Sequence, residues 1–404
     1  MSDRLEAILA DAVPRVCPAA VALISVDGDV AATAAAGELV RYADADGTLA
    51  DERPPVRVDS VFDLASVSKL FTTVALLSLT EEGLLDLDEP VAARFPWHLS
   101  GVDPRITPRR LLTHTAGLPP GRRIDRELPD AGFEERMAAM TRTPVSHPLG
   151  GPYLYSDVGM IIAGRTAELA GDAPLDALVE ARVTAPLALT DTGYRPDTLD
   201  RATTPTTKAP EPGTTGRPTT PTTKTPEPGS GGQEALGRGP ARYRPAALER
   251  IAATEWKPGR PGPGCVRGEV HDETAYALGG VAGHAGVFGT AGDLLAFGEA
   301  LRRGTAQDGP MLRRETLAEM LRDQGAEGAP FRHGLGVRLG DPGIAGPLEC
   351  AFGHSGFTGT SLVVDPVRRL TVVLLTNAVH PVRGRDGIRA LRVAVATEAA
   401  RLAA

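Results

Sequence analysis

Ser66 and Lys69 are the residues of this sequence whose types and spacing most clearly suggest chemistry. A serine and a lysine three positions apart lie on one face of a helix, so the ammonium can reach the hydroxyl. Residues 66–82 contain no Gly or Pro, which predicts such a helix, and its N-terminus adds partial positive charge where an alkoxide would form. The chain has only four lysines, and a lysine, unlike an arginine, can lose its proton to assist a nucleophile. The pair therefore predicts nucleophilic catalysis by Ser66.

Tyr155 stands in a second segment of interest, followed by Ser156 and Asp157 at the predicted start of another helix. A tyrosine beside an ammonium can accept the proton of a serine hydroxyl. The competing interpretation is structural, with Tyr155 closing a helix N-terminus at which Asp157 is the N-cap. The two interpretations are compatible, because a capping loop can also present a catalytic side chain.

A third segment, His354-Ser355-Gly356, is followed by two apolar runs that predict strands. Small residues on an edge strand let a substrate backbone approach closely, and the strand N–H groups can face a carbonyl oxygen. This segment therefore predicts a substrate-binding edge.

The order of these three segments resembles that of the SxxK, Tyr-x-Asn and Lys-Thr-Gly motifs of serine β-lactamases and penicillin-binding proteins. The flanking sequence resembles the class C-like branch of that family, which includes esterases, D-aminopeptidases and acyltransferases. The flanking similarity lies at residues 106–119, 267–297 and 372–381. It extends over nearly the whole chain except residues 202–246.

The resemblance implies a role for each matching position. Ser66 corresponds to the acylated nucleophile, Lys69 to its proton partner, and Tyr155 to the base that activates Ser66 and water. The backbone N–H groups of Ser66 and Phe357 would form the oxyanion hole.

The resemblance assigns Asp157, His354, Ser355 and Gly356 to substrate binding. Two of these residues, Asp157 and His354, depart from the family pattern. Asp157 stands where the family has Asn, and His354 stands where it has Lys, so a permanent cation is replaced by a group that is mostly neutral at pH 7. Both changes make the site less attractive to an anionic β-lactam. The sequence therefore predicts a serine hydrolase that cleaves esters or amides of small acyl or peptidyl groups. The alternatives are a biosynthetic acyltransferase or stand-alone thioesterase and, less favoured, a true β-lactamase or a non-catalytic penicillin-binding sensor.

His284 and Asp272 lie in Gly-rich loops and form a weaker group of candidates. Hydrogen bonds that fix these loops are the favoured interpretation, and a place in the substrate pocket is the alternative. No HxxxH or HExxH spacing supports a metal site, and no cofactor is expected.

Composition limits the partners of the chain. The net charge is −8 and no basic stripe is visible, which argues against a nucleic-acid binder. No apolar run is long enough to span a membrane, and the N-terminal residues lack the pattern of a signal peptide, so a cytoplasmic location is expected. The predicted partner is a small ester, thioester, amide or peptide; the oligomeric state stays open.

The elements that must position these residues come from both ends of the chain. A hairpin is predicted at residues 19–36 and strands at 361–364 and 371–376, with a closing helix at 387–402. Helical patterns broken by Pro and Gly lie between the two ends. The predicted fold is therefore α/β (α+β), with a central antiparallel sheet built from the N- and C-terminal parts, flanked by helices, and a mainly α-helical subdomain inserted.

A Thr/Pro-rich segment interrupts this pattern, because residues 203–213 recur almost unchanged at 219–229. Such a segment has little apolar surface to bury and predicts a disordered insertion. The predicted boundaries are 1–85 and 275–404 for the sheet domain, 86–201 for the helical subdomain, 202–246 for the insertion and 247–274 for a return segment.

Overall fold

The computed structural model describes residues 3–96, 101–196, 248–260 and 264–404, so the predicted insertion at 202–246 lies outside the described residues. The strands are β1 Ala19–Val26, β2 Asp29–Gly37, β3 Val61–Asp63, β4 Gly193–Tyr194, β5 Val287–Thr290, β6 Arg332–His333, β7 Arg338–Leu339, β8 Phe352–Ser355, β9 Ser361–Asp365 and β10 Leu370–Thr376. The α-helices are α1 Asp3–Ala12, α2 Ser68–Glu81, α3 Pro108–Leu112, α4 Ile124–Glu127, α5 Phe133–Thr141, α6 Asp157–Gly171, α7 Leu175–Val179, α8 Glu273–Ala277, α9 Ala291–Gly304, α10 Arg314–Leu321, α11 Pro342–Ala345 and α12 Ile388–Leu402.

Seven of these strands form one antiparallel sheet in the order β2-β1-β10-β9-β8-β7-β6. The N-terminal strand β1 pairs directly with β10, with Ala20 opposite Thr376 and Val26 opposite Leu370. Nearly every residue of β1 is buried, because the strand lies inside the sheet and helices cover both faces. The predicted antiparallel sheet built from both ends of the chain is confirmed.

The sheet separates two apolar cores. On one face, Ala22 and Ile24 of β1 pack with residues of α1 and α12 such as Leu9 and Val395. On the other face, Leu23 belongs to a larger core that includes α9, α2 and the helices of the middle of the chain. Phe71 of α2 stacks on a phenyl ring of α9, so α2 runs through the interior of the molecule.

The helical part of the chain and a second small sheet complete the frame around α2. The small sheet has the order β3-β5-β4, and β3 leads directly into the start of α2. The predicted helix at residues 66–82 begins as a 3₁₀ turn at Ala65–Val67 and continues as α2. The domain boundaries of the sequence analysis stay a prediction.

Candidate active site

Lys69 lies at the start of α2, and its side chain is fully buried. An ammonium without water must find partners inside the protein. Its Nζ atom donates to Ser66 Oγ at 2.9 Å and to the His284 carbonyl at 3.2 Å, and it lies 2.8 Å from Asp157 Oδ1. The structure therefore joins the first two predicted motifs in one cluster, together with the loop of His284.

The charge of Lys69 follows from these partners. Burial alone would lower its pKa, but Asp157 and then Tyr155 outweigh the burial, so the pKa is raised above its usual value. Lys69 is therefore a cation at neutral pH. As a cation it donates to Ser66 and cannot take the Ser66 proton, which leaves that task to another group of the cluster.

Tyr155 lies beside the ammonium. The Lys69 ammonium lies 4.9 Å from the centre of the Tyr155 ring, and hydrogen bonding to Tyr155 helps to keep the ammonium charged. The next residue, Ser156, is the N-cap of α6: its hydroxyl accepts from Gly159 N at 3.0 Å and donates to Pro119 O at 2.7 Å. The interpretation of Asp157 as the N-cap was wrong, because the Asp157 carboxylate turns to Lys69 instead.

His114 holds this loop by two hydrogen bonds, which its place in the sequence did not predict. Its Nδ1 accepts the N–H of Ser156 at 3.2 Å, and its carbonyl accepts the N–H of Leu154 at 2.9 Å. The His114 ring lies 4.7 Å from the Tyr155 ring. Burial and then His333 hold the pKa of His114 well below its ordinary value, so the ring stays neutral. A histidine at the end of a helix carries no local signal for such a contact.

The third predicted motif forms strand β8 and the turn after it. His354 is fully buried, and burial, followed by the charge of Arg338, holds its pKa well below the ordinary value. Its ring lies 6.1 Å from the Tyr155 ring, which places β8 beside the cluster. His354 is therefore neutral at pH 7, as the sequence suggested.

Arg338 places a cation beside β8, at a position that the sequence motifs do not include. It lies on β7, which pairs with β8, and its Nη1 atom donates to Ser355 Oγ at 3.1 Å and to Asp341 Oδ2 at 3.1 Å. Its guanidinium lies 5.7 Å from the centre of the Tyr155 ring. Strand pairing brings in this arginine, which has no motif of its own.

The turn after β8 is fastened to the turn before Ser66. Thr358 Oγ1 donates to the Asp63 carbonyl at 2.8 Å, and Thr360 Oγ1 donates to the Leu64 carbonyl at 2.9 Å. The backbones are so close that a Cβ on Gly356 would lie 2.5 Å from the Leu64 oxygen. Among the described residues, no acceptor receives the Phe357 N–H, which leaves this donor free for a ligand.

His284 and Asp272 meet beside the cluster. The Nε2 atom of His284 lies 2.8 Å from Asp272 Oδ1, and the same oxygen caps α8 by accepting from Ala275 N at 2.7 Å. Burial would raise the pKa of Asp272, but His284 and the hydrogen bonds outweigh it, so the carboxylate stays ionised. The pair fixes the loop whose carbonyl binds Lys69. Within the described ranges, no three His, Cys, Asp or Glu side chains gather as they would around a metal ion.

Buried neutral histidines make the stability of the fold depend on pH. Burial lowers the pKa of both His333 and His380 to about 4. Because the unfolded chain binds protons below about pH 6.5 and these folded rings do not, the free energy of unfolding should fall between about pH 6.5 and pH 4. The loss is about 1.4 kcal/mol per pH unit for each such histidine. Urea unfolding at pH 7, 5.5 and 4.5 measures it.

His380→Gln should reduce the slope of the unfolding free energy against pH by the contribution of one histidine, about 1.4 kcal/mol per pH unit. Its control is His147→Gln, which changes an exposed histidine and should leave the slope of the wild type. Equal slopes for wild type and His380→Gln would contradict the explanation.

Comparison with known proteins shows the family to which this chain belongs. A family model described as Beta-lactamase matches residues 5–396. This chain belongs to the Beta-lactamase family. A putative D-alanyl-D-alanine carboxypeptidase of Escherichia coli (strain K12) is 28% identical, over 89% of this chain and 78% of the relative. An N-acetylmuramyl-L-alanine amidase of Bacillus subtilis (strain 168) is also 28% identical, over 90% and 78%.

Solved structures share the fold. Simvastatin synthase (LovD) from Aspergillus terreus superposes with a TM-score of 0.67 at 21% identity, over 99% of both chains. EstCE1, described as a hydrolase with promiscuous acyltransferase activity, superposes with a TM-score of 0.65 at 23% identity, over 98% of both chains. As predicted, the chain is a serine hydrolase or acyl-transfer enzyme of a family that acts on small esters, amides or peptides.

No helix within the described ranges is both long and apolar enough to cross a bilayer. The cytoplasmic location stays a prediction.

Proposed function

We propose that this enzyme hydrolyses ester or amide bonds of small acyl or peptidyl substrates through an acyl-enzyme on Ser66. The observation that carries the proposal is the buried Lys69 cation, 2.9 Å from Ser66 Oγ and 2.8 Å from Asp157. Burying a charged lysine costs folding free energy even when the ammonium is paired. A buried cation held against a hydroxyl and a carboxylate is therefore typical of a functional site.

The reaction proposed for the cluster has two halves. In the reacting form Tyr155 is the phenolate, paired with the Lys69 cation, and its oxygen takes the proton of Ser66 as Oγ attacks the substrate carbonyl. The negative charge thereby passes from the phenolate to the carbonyl oxygen of the tetrahedral intermediate. The N–H groups of Ser66 and Phe357 bind the oxyanion, and Tyr155 returns the proton to the leaving alcohol or amine. Water then attacks the acyl-enzyme by the same steps and releases the acid.

Arg338 supports a substrate that carries a carboxylate. Its guanidinium donates to Ser355, on the strand that would bind substrate, and lies 5.7 Å from the centre of the Tyr155 ring. The negative charge of Asp157 is paired with Lys69 and so does not act alone on a bound anion. Since two relatives bear the names of a D-alanyl-D-alanine carboxypeptidase and an amidase of muramyl-L-alanine, we propose short peptides or peptide-like amides with a free carboxylate.

Arg338→Gln should lower kcat/KM for a D-alanyl-D-alanine peptide by roughly 10- to 100-fold, the scale of a lost charge-assisted hydrogen bond. The loss for the same peptide with a C-terminal amide should be less than about threefold, because that substrate has no charge to bind. Steady-state kinetics of both enzymes on both peptides measures the difference. Equal losses on the two peptides would contradict a carboxylate site at Arg338.

Acyl transfer is the second candidate function, and the exposed ring of Phe357 favours it. The side chain of Phe357 is 61% exposed beside the proposed oxyanion hole, and Arg383 lies 5.5 Å above the ring. Such an aromatic surface can hold the acceptor of an acyl group in place of water.

Intact-mass spectrometry with a panel of p-nitrophenyl esters, thioesters, D-amino-acid amides and β-lactams tests the proposal. A mass increase equal to the acyl group, located at Ser66, is expected. Decay of this adduct with water as the only acceptor identifies a hydrolase, and decay that requires an added alcohol or amine identifies a transferase. Turnover without an adduct at any time would contradict the acyl-enzyme.

A further inference from the structure

Arg392 lies on α12 and contacts the turn after β8, and no role in the reaction follows from its place in the sequence. Its Nη2 atom donates to the Gly356 carbonyl at 2.7 Å and to the Thr360 carbonyl at 3.1 Å. Arg392 therefore binds the same turn whose Thr358 and Thr360 hydroxyls donate to the Asp63 and Leu64 carbonyls, just before Ser66.

The Gly356 carbonyl belongs to the same peptide unit as the Phe357 N–H. In a planar trans peptide the C=O and the N–H point in opposite directions, so a ligand that fixes the oxygen on one side also fixes the direction of the hydrogen on the other. Arg392 donates to the oxygen at 2.7 Å and the Gly359 N–H donates to it at 3.0 Å, and among the described residues the Phe357 N–H has no acceptor of its own. The peptide unit therefore lies between a cation and the place proposed for the oxyanion.

The charge of Arg392 also acts on that peptide. A hydrogen bond from a cation to a carbonyl polarises the amide and makes its N–H a stronger donor, since hydrogen bonds in a chain reinforce one another. Burial and then Arg338 lower the pKa of Arg392 to about 10, so the guanidinium is still charged at pH 7. In the described part of the chain, no carboxylate lies within ion-pair distance of Arg392, and the charge of Asp341 acts on it only from farther away.

We infer that Arg392 is a positioning residue of the oxyanion hole, which orients and polarises the Gly356–Phe357 peptide toward the negative oxygen of the tetrahedral intermediate. The inference rests on the proposed acyl-enzyme at Ser66. It predicts that Arg392 contributes to transition-state stabilisation without touching the substrate. The contribution should be smaller than that of a whole oxyanion donor, whose loss costs roughly 10² to 10³ in rate.

Arg392→Met should lower the acylation rate constant for a p-nitrophenyl ester by roughly 10- to 100-fold, with the dissociation constant from the same stopped-flow data within about twofold. Phenylboronic acid becomes a tetrahedral anion on Ser66, so its inhibition constant should rise by the same factor as the acylation rate constant falls. Arg392→Lys keeps the charge and should recover most of both losses.

Arg136→Met is the matched control. Arg136 is also half-buried and also donates to backbone carbonyls, those of Leu128 and Ala277, but it lies among the helices of the middle of the chain. Its replacement should lower the melting temperature and leave acylation and phenylboronic acid binding unchanged.

Three outcomes would overturn the inference: equal effects of the Arg392→Met and Arg136→Met changes on acylation, a change confined to the dissociation constant of the ester, or no recovery in Arg392→Lys with a wild-type melting temperature. Failure of the proposed function has a different signature, because Ser66→Ala would then still bind phenylboronic acid covalently and turn over the ester.

Discussion

Ser66→Ala is expected to abolish covalent labelling by a fluorophosphonate and to lower turnover by roughly 10⁴-fold or more, the scale on which a lost nucleophile reduces a serine hydrolase to binding and oxyanion stabilisation. The reason is geometric: the Ser66 hydroxyl accepts from the buried Lys69 ammonium at 2.9 Å.

Two other serines of the motifs are excluded by their contacts. Ser68 is fully buried and its hydroxyl accepts from Val287 N at 3.0 Å, while the Ser156 hydroxyl is used by the cap of α6. Ser78→Ala, which removes another buried hydroxyl of α2, should keep full labelling and serves as the control. Labelling that survives in Ser66→Ala would show that a different residue is the nucleophile.

Lys69→Ala and Tyr155→Phe should each lower the acylation rate constant by roughly 10²-fold or more, the scale of general acid–base catalysis. Removing Lys69 takes away the cation that pairs with the Tyr155 oxygen and with Ser66 Oγ, and Tyr155→Phe takes away the oxygen that accepts the proton. Because the two groups contact each other and act in one step, the double variant should lose little more than the worse single variant.

Stopped-flow acylation of wild type, the two single variants and the double variant measures this coupling. Tyr155→Asn is the informative companion, since it also removes the ring that packs against the ammonium and His114. Losses that multiply in the double variant would mean that Lys69 and Tyr155 have separate roles.

The parts of the site that could be predicted from sequence are those with a local pattern. Ser66 and Lys69 share one helical turn, and Tyr155 and His354 stand in recognisable segments, so their types and spacing were sufficient to select them. The hairpin and the closing strands had clear apolar runs, and the antiparallel sheet followed from them.

The residues that were missed act across elements. Arg338 and Arg392 are two among many arginines, and only the pairing of β7 with β8 and the packing of α12 bring them to the site. His114 supports Tyr155 through a side chain in a left-handed turn, which no periodicity reveals. An aspartate at a helix start is commonly the N-cap. Here Ser156 is the N-cap instead, and the Asp157 carboxylate forms an ion pair with the buried Lys69 ammonium.

The pairing of β1 with β10 has a consequence for the order of events during synthesis. The hydrogen bond from Thr358 to the Asp63 carbonyl joins residues 295 positions apart, and β10 and α12, which hold the turn in place, are made long after Ser66. A ribosome adds about 5–20 residues per second, so the nucleophile waits many seconds for the strand that completes its pocket. The growing polypeptide therefore carries a serine that cannot yet be acylated efficiently, and activity begins only after the residues of β10 and α12 have been synthesised and have packed.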